Sequence, residues 1–134
     1  MKKSGLDLNP DHVARCGQNM QDGYEATIRL LKQPQHPTAL LVINDLLGLA
    51  AIRAAVDLGL HVPGDVSIGS FDNIPFGIYS VPRLTTVSGN PQQLGRRAFH
   101  LLLRRIRDPE RPQEIVHASS TLIVRESTGP VPGT

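Results

Sequence analysis

Short apolar runs alternate with segments of helical periodicity along most of this chain, and this alternation limits the possible folds more than any other feature. Residues 13–16 are the first candidate strand, after turn residues. Residues 21–32 place Tyr24 and Leu31 on one helical face. The continuous apolar run at 38–43 has the length of a strand that is covered on both faces. The order so far is strand, helix, strand.

The next segment, 45–58, is expected to be a helix. Asn44 stands where a side chain would cap its first turn, and Gly59 stands where the helix should end. The remaining candidate elements are strands or extended pieces apart from one long helix at 91–107, and they lie at 66–71, 85–88, 114–118 and 121–124. Alternating strands and helices predict an α/β fold, a parallel sheet with flanking helices.

The composition is that of one globular domain, because 134 residues with 40% apolar and 19% charged side chains suffice for a single core. The net charge of +2 is too small to indicate a nucleic-acid partner. The single cysteine, Cys16, excludes a disulfide framework and a multi-cysteine zinc site, and it is expected to be a buried, inert thiol. No leader or membrane segment is recognisable, so a reducing, cytoplasmic compartment is expected.

Polar side chains follow two of the predicted strands at their carboxyl ends. Asn44 and Asp45 follow the second strand, and Asp72 and Asn73 follow the third. Since ligands of open parallel sheets bind beyond the carboxyl ends of the strands, Asp72 and Asn44 can face one crevice. A carboxylate that accepts two hydroxyl hydrogen bonds, beside an amide, suits a sugar. The alternative is that Asn44 only caps its helix and Asp72 only orders a turn.

No catalytic or metal-binding set is recognisable in the sequence. The histidines are scattered singly without ligand spacing, at positions 12, 36, 61, 100 and 117. Arginines cluster in the helix at 91–107. A solvated helix face is a simpler interpretation of this cluster than a phosphate-binding site. We therefore expect no enzyme activity, no cofactor and no metal. Sequence-specific DNA binding is not expected either, because no base-reading helix-turn-helix is present in these residues.

Five stretches, in their order and spacing, resemble a known family. They are LVIND (41–45), VPGDVSI (62–68), SFDN (70–73), LTTV (84–87) and VRESTGP (124–130). Together they are similar to the effector-binding core of LacI/GalR transcriptional regulators, over about residues 5–130. The resemblance implies one lobe of a periplasmic-binding-protein type I-like fold. It also implies that the DNA-binding headpiece and the first half of the sensor lie outside this chain.

The resemblance assigns residues to an effector site and to a subunit interface. Asp72 matches the carboxylate that holds ligand hydroxyls, and Asn44 matches an amide that reaches the effector. Asn19 stands where relatives carry a stacking aromatic, and Ser88 is the remaining candidate because Gly89 replaces a ligand-binding glutamine. Asp45 is expected to be structural, at the positive end of a helix. The residues that match the homodimer interface are Ile52, Ala55, Val56, Phe76, Ile78 and Tyr79.

The domain organisation that the resemblance implies is a single partial domain. Residues 5–88 and 112–130 would form the second lobe, and the helix at 91–107 would belong to the first. That helix would expose an apolar stripe, so we expect it to pack on its own lobe, swap with a partner chain or form a second interface. DNA would be reached only through the headpiece.

The function implied is effector sensing and dimerisation in a DNA-binding regulator, with a sugar or similar polar metabolite as effector. The alternative is a periplasmic sugar-binding protein of a transport system, which shares the fold. A third class, a stand-alone α/β enzyme, has no candidate catalytic residues. The VPGDVS and VRESTGP stretches favour the regulator over the transport protein.

Overall fold

The structure is a computed structural model that describes residues 8–131. Its centre is a four-stranded sheet in the order β1-β2-β3-β4, in which the first three strands are parallel and β4 is antiparallel to β3. The strands are β1 Ala39–Leu41, β2 Ser67–Phe71, β3 Thr85–Ser88 and β4 Thr121–Ile123. The helices are α1 Met20–Leu31, α2 Asp45–Asp57 and α3 Pro91–Arg107, with 3-10 turns at Pro10–His12 and Pro75–Ile78. The predicted α/β fold is confirmed.

The helices begin and end where their capping residues predict. Asn19, Asn44 and Asn90 each accept a hydrogen bond from a backbone N–H in the first turn of α1, α2 and α3. Pro91 starts α3, where its missing N–H costs nothing. Gly59 follows α2 with a φ of 77°, the left-handed conformation of a helix end.

The core lies where α1 and α2 pack on β2 and β3. Its fully buried centre consists of Val66, Ile68 and Leu84, each 0% exposed. The rest of this cluster comes from the inward faces of the two helices and comprises Leu31, Ala51, Ile52 and Ala55. The core therefore holds α1 and the later turns of α2 against the starts of β2 and β3.

The predicted strand at 13–16 is wrong. Residues 13–18 form no regular element, although Val13 is extended, with φ −107° and ψ 108°. A strand requires a neighbour to hydrogen-bond, and no described strand pairs with this segment. The expected burial of Cys16 fails with it, because the thiol is exposed.

The strand predicted at 38–43 is present as β1 but is not covered on both faces. Leu40 and Val42 pack against the core, while Leu41 and Ile43 are 76% and 63% exposed. Successive strand residues point to opposite faces, and no described helix covers the second face of this edge strand. The apolar run therefore predicted the strand correctly, but the prediction that both of its faces are covered is wrong.

The C-terminal segments divide between one strand and irregular chain. Residues 121–123 form β4, as the predicted extended piece at 121–124 suggested, but in antiparallel orientation. Residues 114–118 form no strand. The segment after β4 is anchored by Ser127, whose hydroxyl donates to Ile68 O at 2.6 Å and accepts from the Thr85 N–H at 2.8 Å. It thereby joins β2 to β3.

Helix α3 has the predicted bounds but not the predicted packing. It contains no buried residue, and the side chains of Leu94, Phe99, Leu102 and Ile106 are half exposed or more. The expectation that it could pack on its own lobe is wrong for this chain. Along residues 8–131 no helix combines the length and apolar character needed to cross a bilayer.

We predict that Gly23→Ala destabilises the protein. A Cβ at Gly23 would lie 2.5 Å from Leu47 Cδ2 and 3.2 Å from Leu47 Cα, where α1 contacts the first turn of α2. Overpacking of this kind costs about 1–3 kcal/mol, against about 1 kcal/mol that alanine contributes to a helix. Urea unfolding measures the difference. Gly95→Ala on α3, where the added Cβ would meet no atom within 4 Å beyond the backbone of its own helix, is the matched control and should cause no loss.

A second stability prediction concerns pH. Arg83 hydrogen-bonds the carboxylate of Glu126 through its side chain, at 2.6 Å and 2.8 Å, and through its N–H, which holds the pKa of Glu126 below its ordinary value of 4.5. A lowered carboxyl pKa contributes stability that is present above the ordinary value and is lost as pH falls through the lowered one. The stability difference between the native chain and Glu126→Gln should therefore be constant near neutrality and vanish in acid. In Arg83→Gln, the free energy of unfolding should depend less on pH over the same acid range than in the native chain.

Candidate functional site

Three of the predicted site residues follow or end the parallel strands at their carboxyl ends. The register pairs Leu41 with Gly69 and Phe71 with Val87. When the same offsets are continued past the strand ends, Asn44 comes level with Asp72, and Asp72 with Ser88. Neighbouring strands lie about 4.8 Å apart, so three polar residues can span the width of a small ligand. The juxtaposition of Asp72 and Asn44 stays a prediction, which this extrapolated register supports.

Asp72 is held in an unusual conformation that leaves its carboxylate free. Its φ is 109°, a left-handed value that is rare for a residue with a side chain. Its N–H donates to Val87 O at 3.0 Å, which keeps the backbone level with β3. The side chain is exposed, and its carboxylate oxygens form no hydrogen bond or ion pair with any residue that the structure describes. Both oxygens can therefore accept hydrogen bonds from a ligand.

Asn44 has the capping role that the sequence offered as one alternative, and its amide N–H group remains available. Its Oδ1 accepts from the Leu47 N–H at 2.9 Å, so the side chain caps α2. The Nδ2 group has no acceptor among the described residues. Because the cap fixes the orientation of the amide, Asn44 can present an N–H donor next to the acceptor of Asp72.

Asn19 lies at the same edge but is less available. It caps α1 by accepting from the Asp22 N–H at 2.9 Å, and its Nδ2 donates to Asp22 Oδ2 at 2.7 Å. The close approach of Gly23 to Leu47 brings the first turns of α1 and α2 together, so Asn19 and Asn44 cap adjacent helices. Since both polar atoms of Asn19 are engaged, a ligand would have to displace Asp22.

Ser88 opens onto a shallow hollow between the end of β3, the start of α3 and β4. The hollow has a volume of about 390 Å³ and a mostly uncharged polar lining formed by Ser88, Asn90, Pro91, Gln92, Ser119, Thr121 and Ile123. The hydroxyl of Ser88 has no partner among the described residues. Ser88 thus extends the row of Asn44 and Asp72 with a group that can donate and accept.

Asp45 is structural, as predicted, but through contacts that the sequence did not indicate. Its carboxylate is 0% exposed and accepts hydrogen bonds from Ser70 Oγ at 2.5 Å, Thr86 Oγ1 at 2.6 Å and the Ile74 N–H at 2.8 Å. Ser70 and Thr86 are hydroxyl residues inside the strands β2 and β3, which was the available signal. Arg125 was also missed, although its Nη2 donates to Asn73 Oδ1 at 2.7 Å.

The arrangement suits hydrogen bonding to a neutral, hydroxylated molecule. Asp72 supplies acceptors, Asn44 supplies a donor, and Ser88 supplies both. Over residues 8–131, no three His, Cys, Asp or Glu side chains come together as a metal site would require.

Comparison with known proteins agrees with this architecture. The family described as "Periplasmic binding protein-like domain" matches residues 1–128. The HTH-type transcriptional repressor PurR of Pasteurella multocida is 37% identical over 127 residues, which is 95% of this chain and 38% of that protein. The chain thus spans less than half the length of this curated relative.

Two solved structures extend the comparison. A LacI-type putative transcriptional regulator from Bacillus cereus matches 96% of this chain and 45% of its own, with a TM-score of 0.91 and 29% identity. A LacI family transcriptional regulator from Enterococcus faecium, solved with bound ribose, matches 86% of this chain and 42% of its own, with a TM-score of 0.76 and 33% identity.

Proposed function

We propose that this chain, which belongs to the periplasmic binding protein-like domain family in its LacI/GalR branch, senses a small hydroxylated effector for a DNA-binding transcriptional regulator. The similar proteins named above are regulators, which favours this role over a transport protein of the same fold. In this proposal the regulator reaches DNA through another part of the protein and works in the cytoplasm.

The observation that carries the proposal is the carboxylate of Asp72. It is exposed and without a partner among the described residues, and it lies beyond the end of a parallel strand, where ligands of such sheets bind. Asn44 is the second contact, Ser88 the third, and Asn19 the weakest because Asp22 occupies its amide. Ribose is a reasonable first probe, since the Enterococcus faecium regulator was solved with it.

The proposal includes a homodimer formed through a surface that we call the α2–loop patch. It consists of the exposed side chains of Val56, Phe76, Ile78 and Tyr79. Two residues assigned to this interface from the sequence are excluded, because Ile52 and Ala55 are 5% and 0% exposed and belong to the core of their own chain. The interface is therefore narrower than the resemblance suggested.

Helix α3 is proposed to be covered by protein that does not come from its own lobe. Its apolar side chains are exposed here, and a stripe of this size is unusual on a monomer. In this proposal, residues 5–88 and 112–130 form one lobe, and α3 belongs to the other half of a two-lobed sensor. A partner chain that exchanges this helix would cover the same stripe.

The experiment that tests the function is a titration of the nitrogen-15-labelled chain with ribose, followed in two-dimensional NMR spectra. We expect saturable shifts confined to the amides around Asn44, Asp72 and Ser88. Because one lobe supplies only part of a closed pocket, the expected Kd is roughly millimolar, about −4 kcal/mol. The same titration with 2-deoxyribose, which has lost one hydroxyl, should give weaker shifts.

Three results would contradict the proposal. Shifts that cluster instead at the hollow lined by Asn9, Asp11, His12 and Gln33–Gln35 would place binding at the wrong end of the sheet. Calorimetry that finds micromolar affinity for this chain would contradict the claim that the pocket is incomplete. A chain that shows no shift with ribose or other neutral sugars would remove the assigned effector class.

A further inference from the structure

Two consecutive residues with side chains, Asp72 and Asn73, have left-handed backbone angles at the end of β2. Their φ values are 109° and 56°. Residues other than glycine adopt such angles at a steric cost, so a turn of this kind persists only where its surroundings determine it. The conformation of Asp72 is therefore imposed by neighbouring groups.

Backbone and side-chain acceptors fix the turn from the side of β3. The Asp72 N–H donates to Val87 O at 3.0 Å, and the Asn73 N–H donates to Thr86 Oγ1 at 3.3 Å. The Thr86 hydroxyl donates its own hydrogen to Asp45 Oδ1 at 2.6 Å. Because one hydroxyl serves both groups, Thr86 links the turn directly to the buried carboxylate.

Asp45 fixes the residue that follows the turn, Ile74. Its Oδ2 accepts from the Ile74 N–H at 2.8 Å, while Oδ1 accepts from both Thr86 and Ser70. No cation among the described residues pairs with this fully buried carboxylate. Burial of an unpaired charge is costly, and an apolar residue of similar size can serve stability as well. This carboxylate is satisfied instead by three hydrogen bonds, one of them from the turn, and by the first turn of α2.

Arg125 holds the same turn from its other side. Its Nη2 donates to Asn73 Oδ1 at 2.7 Å, and its Nη1 donates to Leu84 O at 2.6 Å. The guanidinium is partly buried, and none of the described carboxylates lies within ion-pair distance of it. The turn is thus held between a buried carboxylate and a partly buried cation, and neither of them contacts the carboxylate of Asp72.

We infer that Asp45 is a positioning residue, which, with Arg125 as second anchor, holds the Asp72–Asn73 turn in the conformation that presents the Asp72 carboxylate to a ligand. The inference rests on the proposed effector contact of Asp72. The contacts of Asp45 with two strand hydroxyls and a turn amide are its physical basis. Asp45 itself touches no ligand.

Amide hydrogen exchange of the ligand-free chain tests the inference. In Asp45→Asn, the amides of Asp72, Asn73 and Ile74 should exchange roughly tenfold faster or more, relative to a core amide. The reference is the Ile68 N–H, which donates to Ser127 O at 2.7 Å on the far part of β2. Carbon-13 shifts of the two turn residues should also move away from left-handed values.

Asp57→Asn is the matched control, because Asp57 lies on the same helix and its carboxylate accepts from Tyr24 and Arg53, remote from the turn. It should leave the turn amides unchanged. If Asp45→Asn does not fold, Thr86→Val removes one hydroxyl of the same set at nearly constant shape and should accelerate the Asn73 amide selectively. Equal acceleration of the turn amides and Ile68 would mean a merely structural role and would overturn the inference, as would no change in either variant.

Ribose separates this inference from the proposed function. Asp45→Asn should lose the ribose-induced shift at Asp72 while the remaining spectrum stays folded. If the native chain binds no sugar but Asp45→Asn still loosens the turn, the proposed function fails and the positioning role of Asp45 on the turn stands. If the native chain binds ribose and Asp45→Asn binds it equally well with the turn intact, the inference fails alone.

Discussion

Removal of the Asp72 carboxylate should abolish saturable ribose binding while the fold is retained. Hydrogen bonds to a charged group each contribute about 1.5–3 kcal/mol, so the loss of even one weakens binding by roughly tenfold or more. From a millimolar starting point, such a loss eliminates saturation in the titration. Asp72→Asn is the informative variant, because asparagine tolerates a left-handed φ and keeps the shape of the side chain.

Asp72→Gly is the companion variant, since glycine also adopts the observed φ and removes the side chain altogether. Because Asp72 is exposed and its side chain has no partner among the described residues, the free energy of unfolding of Asp72→Asn should lie within about 0.5 kcal/mol of the native value. Asp72→Gly should be at least as stable as the native chain, because glycine adopts the observed φ without steric cost. An Asp72→Gly chain that still binds ribose with native affinity would remove Asp72 from the site.

Charged substitutions in the α2–loop patch should convert a dimer into a monomer. Phe76 and Tyr79 are 66% and 79% exposed, and a two-fold interface brings the same residues together from both chains. Burial of a few hundred Å² contributes several kcal/mol at about 25 cal/mol per Å² before the costs of association. Phe76→Asp combined with Tyr79→Asp should therefore sediment as a monomer at concentrations where the native chain is a dimer.

Two controls separate the patch from other exposed apolar groups. Ile115→Asp changes a side chain of similar exposure (74%) outside both surfaces and should leave the dimer intact. Leu102→Asp with Ile106→Asp tests α3: if this pair alone produces monomers, the interface is the helix stripe and the proposed patch is wrong. A native chain that is monomeric at all concentrations would contradict an interface at the α2–loop patch and one at the α3 stripe.

Local sequence signals predicted the helices well. Asn44 and Gly59 marked the bounds of α2, because capping and helix termination depend on neighbouring residues. The bounds of α3 were predicted as 91–107, but its cap Asn90 was not identified. The positions of β2 and β3 were predicted to within one residue, because turn residues in the neighbouring sequence mark the limits of each strand. For Asn44, Asp72 and Ser88, the sequence could predict only that the strand ends share an edge of the sheet. Their predicted alignment follows from the strand register.

Burial and pairing could not be predicted, since they depend on groups distant in sequence. Residues 13–16 have the composition of a strand but no described neighbour to pair with, and Leu41 lies on a face that no described helix covers. Ile52 and Ala55 matched interface positions yet belong to the core. Asp45 was assigned to the helix dipole, whereas its partners Ser70 and Thr86 come from separate strands. Such contacts exist only after the sheet has assembled.

The most direct test of the central claim is the position of a bound ligand. Isotope-filtered NOEs between ribose protons and the labelled chain should connect the sugar to Asn44, Asp72 and Ser88, the three residues that the register aligns at the carboxyl edge of the sheet. Contacts to residues at the opposite edge, around Asp11 and Gln33, with none to Asp72, would contradict the account.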